Sequence, residues 1–241
     1  MKVIEATWEK RNLGKRVLEI ELEFGDTVSA VTDAIDINNP DYVVIKVPSK
    51  LGELVGPIQL SGFKFVEVLN HTIFDSKLPN LNQFEKRFLS SLVTSPISPA
   101  NKEILESTIT AGLFNTDRIS LDTKFDQKSS TNRYLGMITD EISKGAILYE
   151  ITYKHDFIGF FLLRLLDQEN CLSSLGGVIP KFQNKGVGVL MNYLQIQNSY
   201  DLGATRVLST FSSNNVPATL IHWKYDYRLV KQEYIFTKHF D

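Results

Sequence analysis

The chain is short of several things, and each shortage excludes something. Cys171 is its only cysteine, so no disulfide closes within the chain and a Cys-rich structural zinc site is ruled out. Histidine is nearly as scarce. His71, His155, His222 and His239 are scattered and show neither HxxxH nor HExxH spacing, so no catalytic metal is expected. Charge of one sign is also missing: 26 Lys and Arg against 28 Asp and Glu give a formal net charge of −2, which offers nucleic acid no electrostatic attraction. No apolar stretch approaches the roughly 18 residues that span a bilayer. Met1-Lys2-Val3-Ile4-Glu5 also lacks the charged-then-apolar order of a secretory leader. The expectation is a cytoplasmic protein with no metal, membrane or nucleic-acid partner.

What is present suits a globular α/β chain. With 43% hydrophobic and 22% charged residues, 241 residues can bury one large core or two small ones. The most informative segment is Gln183-Asn184-Lys185-Gly186-Val187-Gly188, which follows an apolar run ending in Gly177-Val178-Ile179-Pro180. Glycines at 186 and 188 let main chain approach a ligand with no Cβ in the way. Val189, Leu190, Tyr193 and Leu194 then repeat at helical spacing, and Gly203 is the expected stop. The N–H groups of a helix's first turn have no intrahelical partner, so they could cradle a diphosphate. A P-loop needs four residues between its glycines followed by Lys-Ser/Thr, and a dinucleotide fingerprint needs GxGxxG, so both are excluded. Taken alone, Gln-x-x-Gly-x-Gly reads equally as an ordinary strand-to-helix turn.

The surroundings narrow that choice. Gly145 to Tyr153 is strand-like, Lys154-His155-Asp156 is a polar turn, and Ile158 to Leu166 is a second β-rich run. Asp167-Gln168-Glu169-Asn170 turns again into Cys171 to Ile179, so a three-strand meander feeds the glycine loop. Further on come a strand at Arg206 to Phe211, an Asn215-Val216-Pro217-Ala218 segment opening a short helix to Tyr225, and a last strand at Glu233 to Thr237.

This order resembles the GNAT superfamily of N-acetyltransferases over residues 95–241. Gln183 to Gly188 match its acetyl-CoA loop, Val178 and Pro180 the strand end before it, and Asn215 with Ala218 its later Asn-x-x-Ala segment. The resemblance implies a GNAT fold, an α/β (α+β) architecture with a central mixed, mostly antiparallel sheet, carrying a smaller N-terminal α/β domain. It implies acetyl-CoA as co-substrate, with Leu175, Gly177, Val178, Gln183, Asn184, Lys185, Gly186, Val187, Gly188, Val189 and Asn215 as its contacts. Where the family carries a catalytic tyrosine this chain has His222, and Asp226-Tyr227 replace the family's Gly-Phe. His222 is therefore the expected acid for the departing thiolate, against the plainer reading of a packed core histidine beside Trp223, Tyr225 and Tyr227. Asn215 has its own plain reading, a helix cap ahead of Val216-Pro217.

Residues 1–94 read as a separate α/β domain, with 95–241 as the acetyltransferase domain. Leu18, Ile20, Leu22 and Phe24 alternate with Glu19, Glu21 and Glu23, which predicts one face on a core and one in water. A helix at Val28 to Ile37, a strand at Tyr42 to Val47, a helix from Ser49 to Leu60 and a strand at Phe63 to Leu69 follow. The last helix and strand have the shape of the chain's own C-terminal end, so a truncated copy of the second domain is one reading and an unrelated α/β segment the other. Ser90 to Asn101, broken at Ser95-Pro96 and Ser98-Pro99, is the expected linker.

Asn101 is expected to cap a helix to Phe114, and Ser130 or Thr131 another in which Tyr134, Ile138 and Ile142 share a face. Between them, Thr116-Asp117-Arg118-Ile119 and Asp122, with Arg133-Tyr134, look like the GNAT branch that acetylates amino sugars on a nucleotide carrier, typified by TDP-fucosamine acetyltransferase. That resemblance makes Arg118, Asp122 and Tyr134 the acceptor contacts, with Arg118 for a phosphate; a solvated Arg118–Asp122 pair or helix cap is the plainer alternative. The implied reaction is direct attack of a nucleotide-linked amino sugar's amine on acetyl-CoA in a ternary complex. A peptide or other small-molecule amine, or a non-catalytic acyl-CoA-binding module, are the alternatives, and a homodimer is left open.

Overall fold

The computed structural model describes residues 1–240. In chain order the elements are β1 (Lys2–Glu5), α1 (Thr7–Leu13), β2 (Val17–Glu21), α2 (Val28–Asn38), β3 (Tyr42–Pro48), α3 (Val55–Leu60) after a 3₁₀ turn, and β4 (Lys64–Phe74). Then come α4 (Gln83–Leu89), β5 (Leu92–Pro96), α5 (Pro99–Thr110), α6 (Gln127–Ser143), β6 (Ile147–Tyr153), β7 (Asp156–Leu165) and β8 (Asn170–Val178). The chain closes with α7 (Val187–Asp201), β9 (Arg206–Ser212), α8 (Val216–Lys224) and β10 (Arg228–His239). All the strands join one 10-stranded sheet of order β1-β2-β3-β10-β4-β9-β8-β7-β6-β5. Only β2–β3 and β8–β9 pair in parallel; the sheet is otherwise antiparallel, as expected.

The local chemistry accounts for most boundaries. Lys154 and His155 both take positive φ (49° and 72°) in the two-residue turn between β6 and β7, the backbone that matches strand twist in a tight hairpin. Gly203, at φ 96°, stops α7. Ser98, Asp126 and Asn82 accept main-chain N–H bonds at the starts of α5, α6 and α4. The first two replace the expected caps Asn101 and Ser130 or Thr131.

Other expectations are corrected. The segment read as a linker is ordered: Leu92 to Pro96 pairs with β6 as the sheet's edge strand, and Pro99 opens α5. The glutamate face of β2 is not a uniform water face: Glu21 is half-buried, and only Glu23, beyond the strand, is exposed. Glu19 is buried, with Lys46 Nζ 2.8 Å and Arg118 Nη2 3.0 Å from its carboxylate, whereas Phe24 is the exposed member of the apolar set. Ile142 is likewise more exposed than Tyr134 and Ile138, its partners on the α6 face.

The sheet's centre joins both parts of the chain. β10, from the C-terminal end, lies between β3 and β4, and β4 lies between β10 and β9. The series β2-α2-β3-α3-β4 and β8-α7-β9-α8-β10 have the same element order, each beginning with a parallel pair. Exchanging the two series leaves the strand order β2-β3-β10-β4-β9-β8 unchanged. The segments Gly62–Glu67 and Asp226–Lys231, alike in sequence shape, thus open strands that pair with each other. Among the described residues, no helix is long and apolar enough to cross a membrane.

Candidate acyl-donor and acceptor site

β8 and β9 pair only from Asn170↔Arg206 to Ser173↔Ser209. Beyond that register β8 runs on to Val178 against β7 alone, and β9 to Ser212 against β4 alone. The two strands part, and main-chain groups on the facing edges are left without a strand partner. Burying such groups costs free energy unless something supplies hydrogen bonds. A cavity of about 300 Å³ occupies the opening, lined among others by Glu67, Arg118, Tyr134, Leu175, Asn215 and His222.

The glycine loop lies at the end of β8. Gly186 is the residue before α7, with φ 77°, open space where a Cβ would be, and no side-chain cap on the helix. Leu190 N–H reaches back to Gly186 O at 3.4 Å, so the N–H groups of Val187, Gly188 and Val189 belong to the unpaired first turn. Gln183 to Gly186 are exposed, and Gln183 Nε2 donates to Val178 O at 3.1 Å, tying the loop to the strand end. Lys185 Nζ donates to Lys181 O at 2.9 Å. Asn184 also takes positive φ, 61°. The arrangement is an open helix N-terminus on a braced loop, suited to a diphosphate.

The other expected donor-site residues divide. Leu175 and Asn215 line the cavity; Gly177 and Val178 do not. Gly177 is needed for packing, since a Cβ there would come within 2.8 Å of the Phe160 ring. Asn215 Oδ1 accepts Ala218 N–H at 3.1 Å, so the cap role is real, and the same residue lines the cavity.

His222 lines the cavity wall, packed between Phe211 and Tyr227 with centroids 4.4 and 4.3 Å away. Its Nδ1 is 2.8 Å from Ala218 O. A carbonyl only accepts, so Nδ1 carries the proton and the neutral ring's Nε2 is a bare acceptor. Burial pulls the pKa down to about 4, although the Ala218 bond opposes this. A general acid at neutral pH needs a proton facing the cavity, and His222 has none there. Tyr225 and Tyr227 do not line this cavity; the Tyr225 hydroxyl donates to Val189 O at 3.0 Å.

The expected acceptor residues are brought together only in part. Arg118 and Tyr134 line the cavity, but Asp122 lies by a separate groove beside β4 and β10, 2.8 Å from His239 Nε2. Arg118 is buried, its Nη2 2.8 Å from Glu9 and 3.0 Å from Glu19. Arg133 bonds Glu9 at 2.9 Å, and the Tyr134 hydroxyl donates to Asp117. Burial pushes the Asp117 carboxyl up, but Arg133 and the Tyr134 bond outweigh it and hold it below the usual range. The arginine expected to receive a phosphate is already committed to two carboxylates.

Sequence reasoning missed Glu67. It lies within the strand expected at Phe63 to Leu69, where nothing in the local pattern singles it out. Glu67 is 2% exposed and lines the cavity.

No protein-family model and no curated relative matches this sequence. Solved structures do. A GCN5-related N-acetyltransferase from Sphaerobacter thermophilus superposes with a TM-score of 0.66 at 10% identity, over 99% of this chain and 75% of the other. A GCN5-related N-acetyltransferase from Kribbella flavida gives 0.56 at 9% identity, over 92% and 80%. A tandem GNAT protein from the clavulanic acid biosynthesis pathway gives 0.56 at 10% identity, over 92% and 75%. The chain therefore has the fold of the GNAT N-acetyltransferases, and the likeness extends through the N-terminal third.

Proposed function

We propose that this protein is an acetyl-CoA-dependent N-acetyltransferase that moves the acetyl group onto a primary amine of a small molecule by direct attack. The observation that carries this reading is the parting of β8 and β9 beyond Ser173 and Ser209, next to an uncapped, glycine-opened helix start. The loop from Asn184 to Val189 would hold the diphosphate. The unpaired edges of β8 and β9 suit an amide-bearing arm, which can donate and accept like a strand. Main-chain N–H groups near Leu175 would stabilise the oxyanion that develops on the thioester carbonyl, in a setting where fixed donors are worth more than in water. No protein nucleophile is required.

A nucleotide-linked amino sugar is the finer acceptor candidate raised by Arg118, Asp122 and Tyr134. Tyr134 and Arg118 on one cavity wall support it; the commitment of Arg118 and the separate position of Asp122 favour a smaller, unphosphorylated amine. Thiol release from acetyl-CoA with a panel of small alkylamines, glucosamine, and TDP- and UDP-linked amino sugars tests the reading. Turnover with any amine supports the transferase. Acetyl-CoA binding without turnover across the panel would leave a non-catalytic acyl-CoA-binding module.

A further inference from the structure

Unpartnered buried polar atoms collect around the central cavity. Glu67 Oε2, Ser174 Oγ, Arg118 Nε and His222 Nε2 are all buried with no hydrogen-bond partner among the described residues, and all four residues line it. Buried polar groups in folded proteins are paired, so a cluster of exceptions marks where a ligand is to bring the partners. Glu67 Oε2 and His222 Nε2 accept only, and Ser174 Oγ can. The cavity therefore asks its occupant mainly for donors.

The charges sharpen this. Lys46 is paired with Glu19 and Glu21, Arg118 with Glu9 and Glu19, and Arg133 with Glu9 and Asp117. Each of these cations is already spent on carboxylates, and Glu67 has no ion-pair partner among the described residues. A buried carboxylate without a cation is costly. Burial accordingly pushes the Glu67 carboxyl up, against the pull of the Ser212 hydroxyl and of Arg118.

Resting on the transferase reading above, we propose that Glu67, carried by the first-half strand β4, receives the acceptor's ammonium group and takes the proton from its nitrogen during transfer. The acceptor is thus a small cationic primary amine. The ammonium pairs with Glu67 and releases one proton to water. The freed lone pair forms the C–N bond to the thioester carbonyl carbon, and the remaining surplus N–H proton passes to Glu67 Oε2. The C–S bond breaks with its electron pair on sulfur, and the proton on Glu67 passes on to that thiolate. This gives the leaving group the acid that His222 cannot supply, and Glu67 ends as it began.

Two readouts test this. In thermal-shift titrations with phenethylamine and ethanolamine, each against its isosteric alcohol, the amines should stabilise the wild type and the alcohols should not. Glu67→Gln should abolish the difference. In turnover, Glu67→Gln should keep acetyl-CoA binding by calorimetry and lose on the order of 10²- to 10³-fold in kcat/KM for the amine. The acidic limb of the wild-type pH profile should vanish with it. Asp117, Arg118, Arg133, Tyr134, Ser212 and His222 also face this region; they are unchanged in the variant, so they cannot account for a limb that disappears. Glu67→Met, of similar length, serves if the glutamine variant does not fold. Equal amine shifts in wild type and variant, alcohols as effective as amines, or an unaltered pH profile would each overturn the assignment. Failure of the wild type to bind acetyl-CoA would instead sink the transferase reading, while the amine-against-alcohol comparison still decides Glu67.

Discussion

The two series β2-α2-β3-α3-β4 and β8-α7-β9-α8-β10 share an element order, yet only in the second do the parallel strands part beside the cavity. In the first, β2 and β3 stay paired along the whole of β2, from Val17↔Tyr42 to Glu21↔Lys46. Lys46 reaches Glu19 and Glu21 at 2.8 and 3.3 Å, across the strand pair. The start of α2 is closed by its own chain, because Thr27 Oγ1 accepts Ala30 N–H at 3.2 Å. In the second, pairing stops at Ser173↔Ser209, and α7 begins at a glycine with no side-chain cap. A parallel strand pair with a crossover helix is thus a scaffold and not a site. On the reading proposed above, two local changes, lost strand pairing and a lost cap, turn it into one.

The sharpest way to break the comparison is to close the second series. Gly186→Val puts a β-branched side chain at φ 77°, where L-residues are strained by roughly 1–2 kcal/mol, and sets its methyl groups beside the loop's N–H groups. At a ligand concentration of 100 times its dissociation constant, acetyl-CoA should stabilise the wild type by about 2.7 kcal/mol. The variant should show no shift. Calorimetric titration checks this, and a wild-type shift in the variant would remove the loop from the donor site.

The next effect concerns the seam where the two series meet. Glu233 on β10 is bonded by His71 Nε2 of β4 at 2.7 Å and lies 2.7 Å from Lys231 Nζ, while Thr210 of β9 is 3.0 Å from His71 Nδ1. Burial raises the Glu233 carboxyl, but the bonds from His71 and Lys231 outweigh it and hold the pKa at about 2. A folded-state pKa below the unfolded value gives stability that is full above about pH 4.5 and is lost as the pH falls towards 2. His71 is about a third exposed, and solvent screening holds the contribution of the pair to about 2 kcal/mol. Glu233→Gln should lower stability by that amount at pH 7 in denaturant unfolding and flatten the decline between pH 4.5 and 2. An unchanged decline would place the acid sensitivity elsewhere.

This seam also shows what the sequence could and could not reveal. Alternation and turn chemistry placed β6, β7, β8, α7 and β9 almost to the residue, because their signals are local: Lys154-His155, Gly186 and Gly203 each act on their own backbone. Glu19 misled because an alternating glutamate reads as solvent face, whereas its partner Arg118 lies 99 residues away. Glu67 was overlooked for the same reason. It sits opposite Ile235 of β10, two residues before β4 joins β9 at Leu69, so its place beside the cavity depends on pairings far apart in sequence. The strand parting itself has no local signature, so Leu175 and Asn215, which line the cavity, were singled out as ligand contacts only through the family resemblance.

A smaller effect separates cap from ligand contact at the second series' other helix. Aspartate caps a helix as well as asparagine does, so Asn215→Asp should leave the melting temperature of the free protein unchanged. It replaces the amide donor on the cavity wall with an acceptor, and we expect acetyl-CoA affinity to fall about tenfold, or about 1.4 kcal/mol. Unchanged affinity by calorimetry would leave Asn215 with the cap alone.

The smallest effect is expected from opening the first series. Thr27→Gly removes the side chain that covers the start of α2, at a cost of only a few tenths of a kcal/mol because glycine still tolerates the capping position. The variant then has an uncapped helix N-terminus beside a parallel strand pair, as the second series does. It should still gain no acetyl-CoA binding when measured in a Gly186→Val background, because β2 and β3 remain hydrogen-bonded from Val17 to Glu21 and offer no edge to an amide-bearing arm. Binding restored in that double variant would mean that the open helix end suffices. Its absence would make the strand parting at Ser173 and Ser209 the feature that distinguishes site from scaffold.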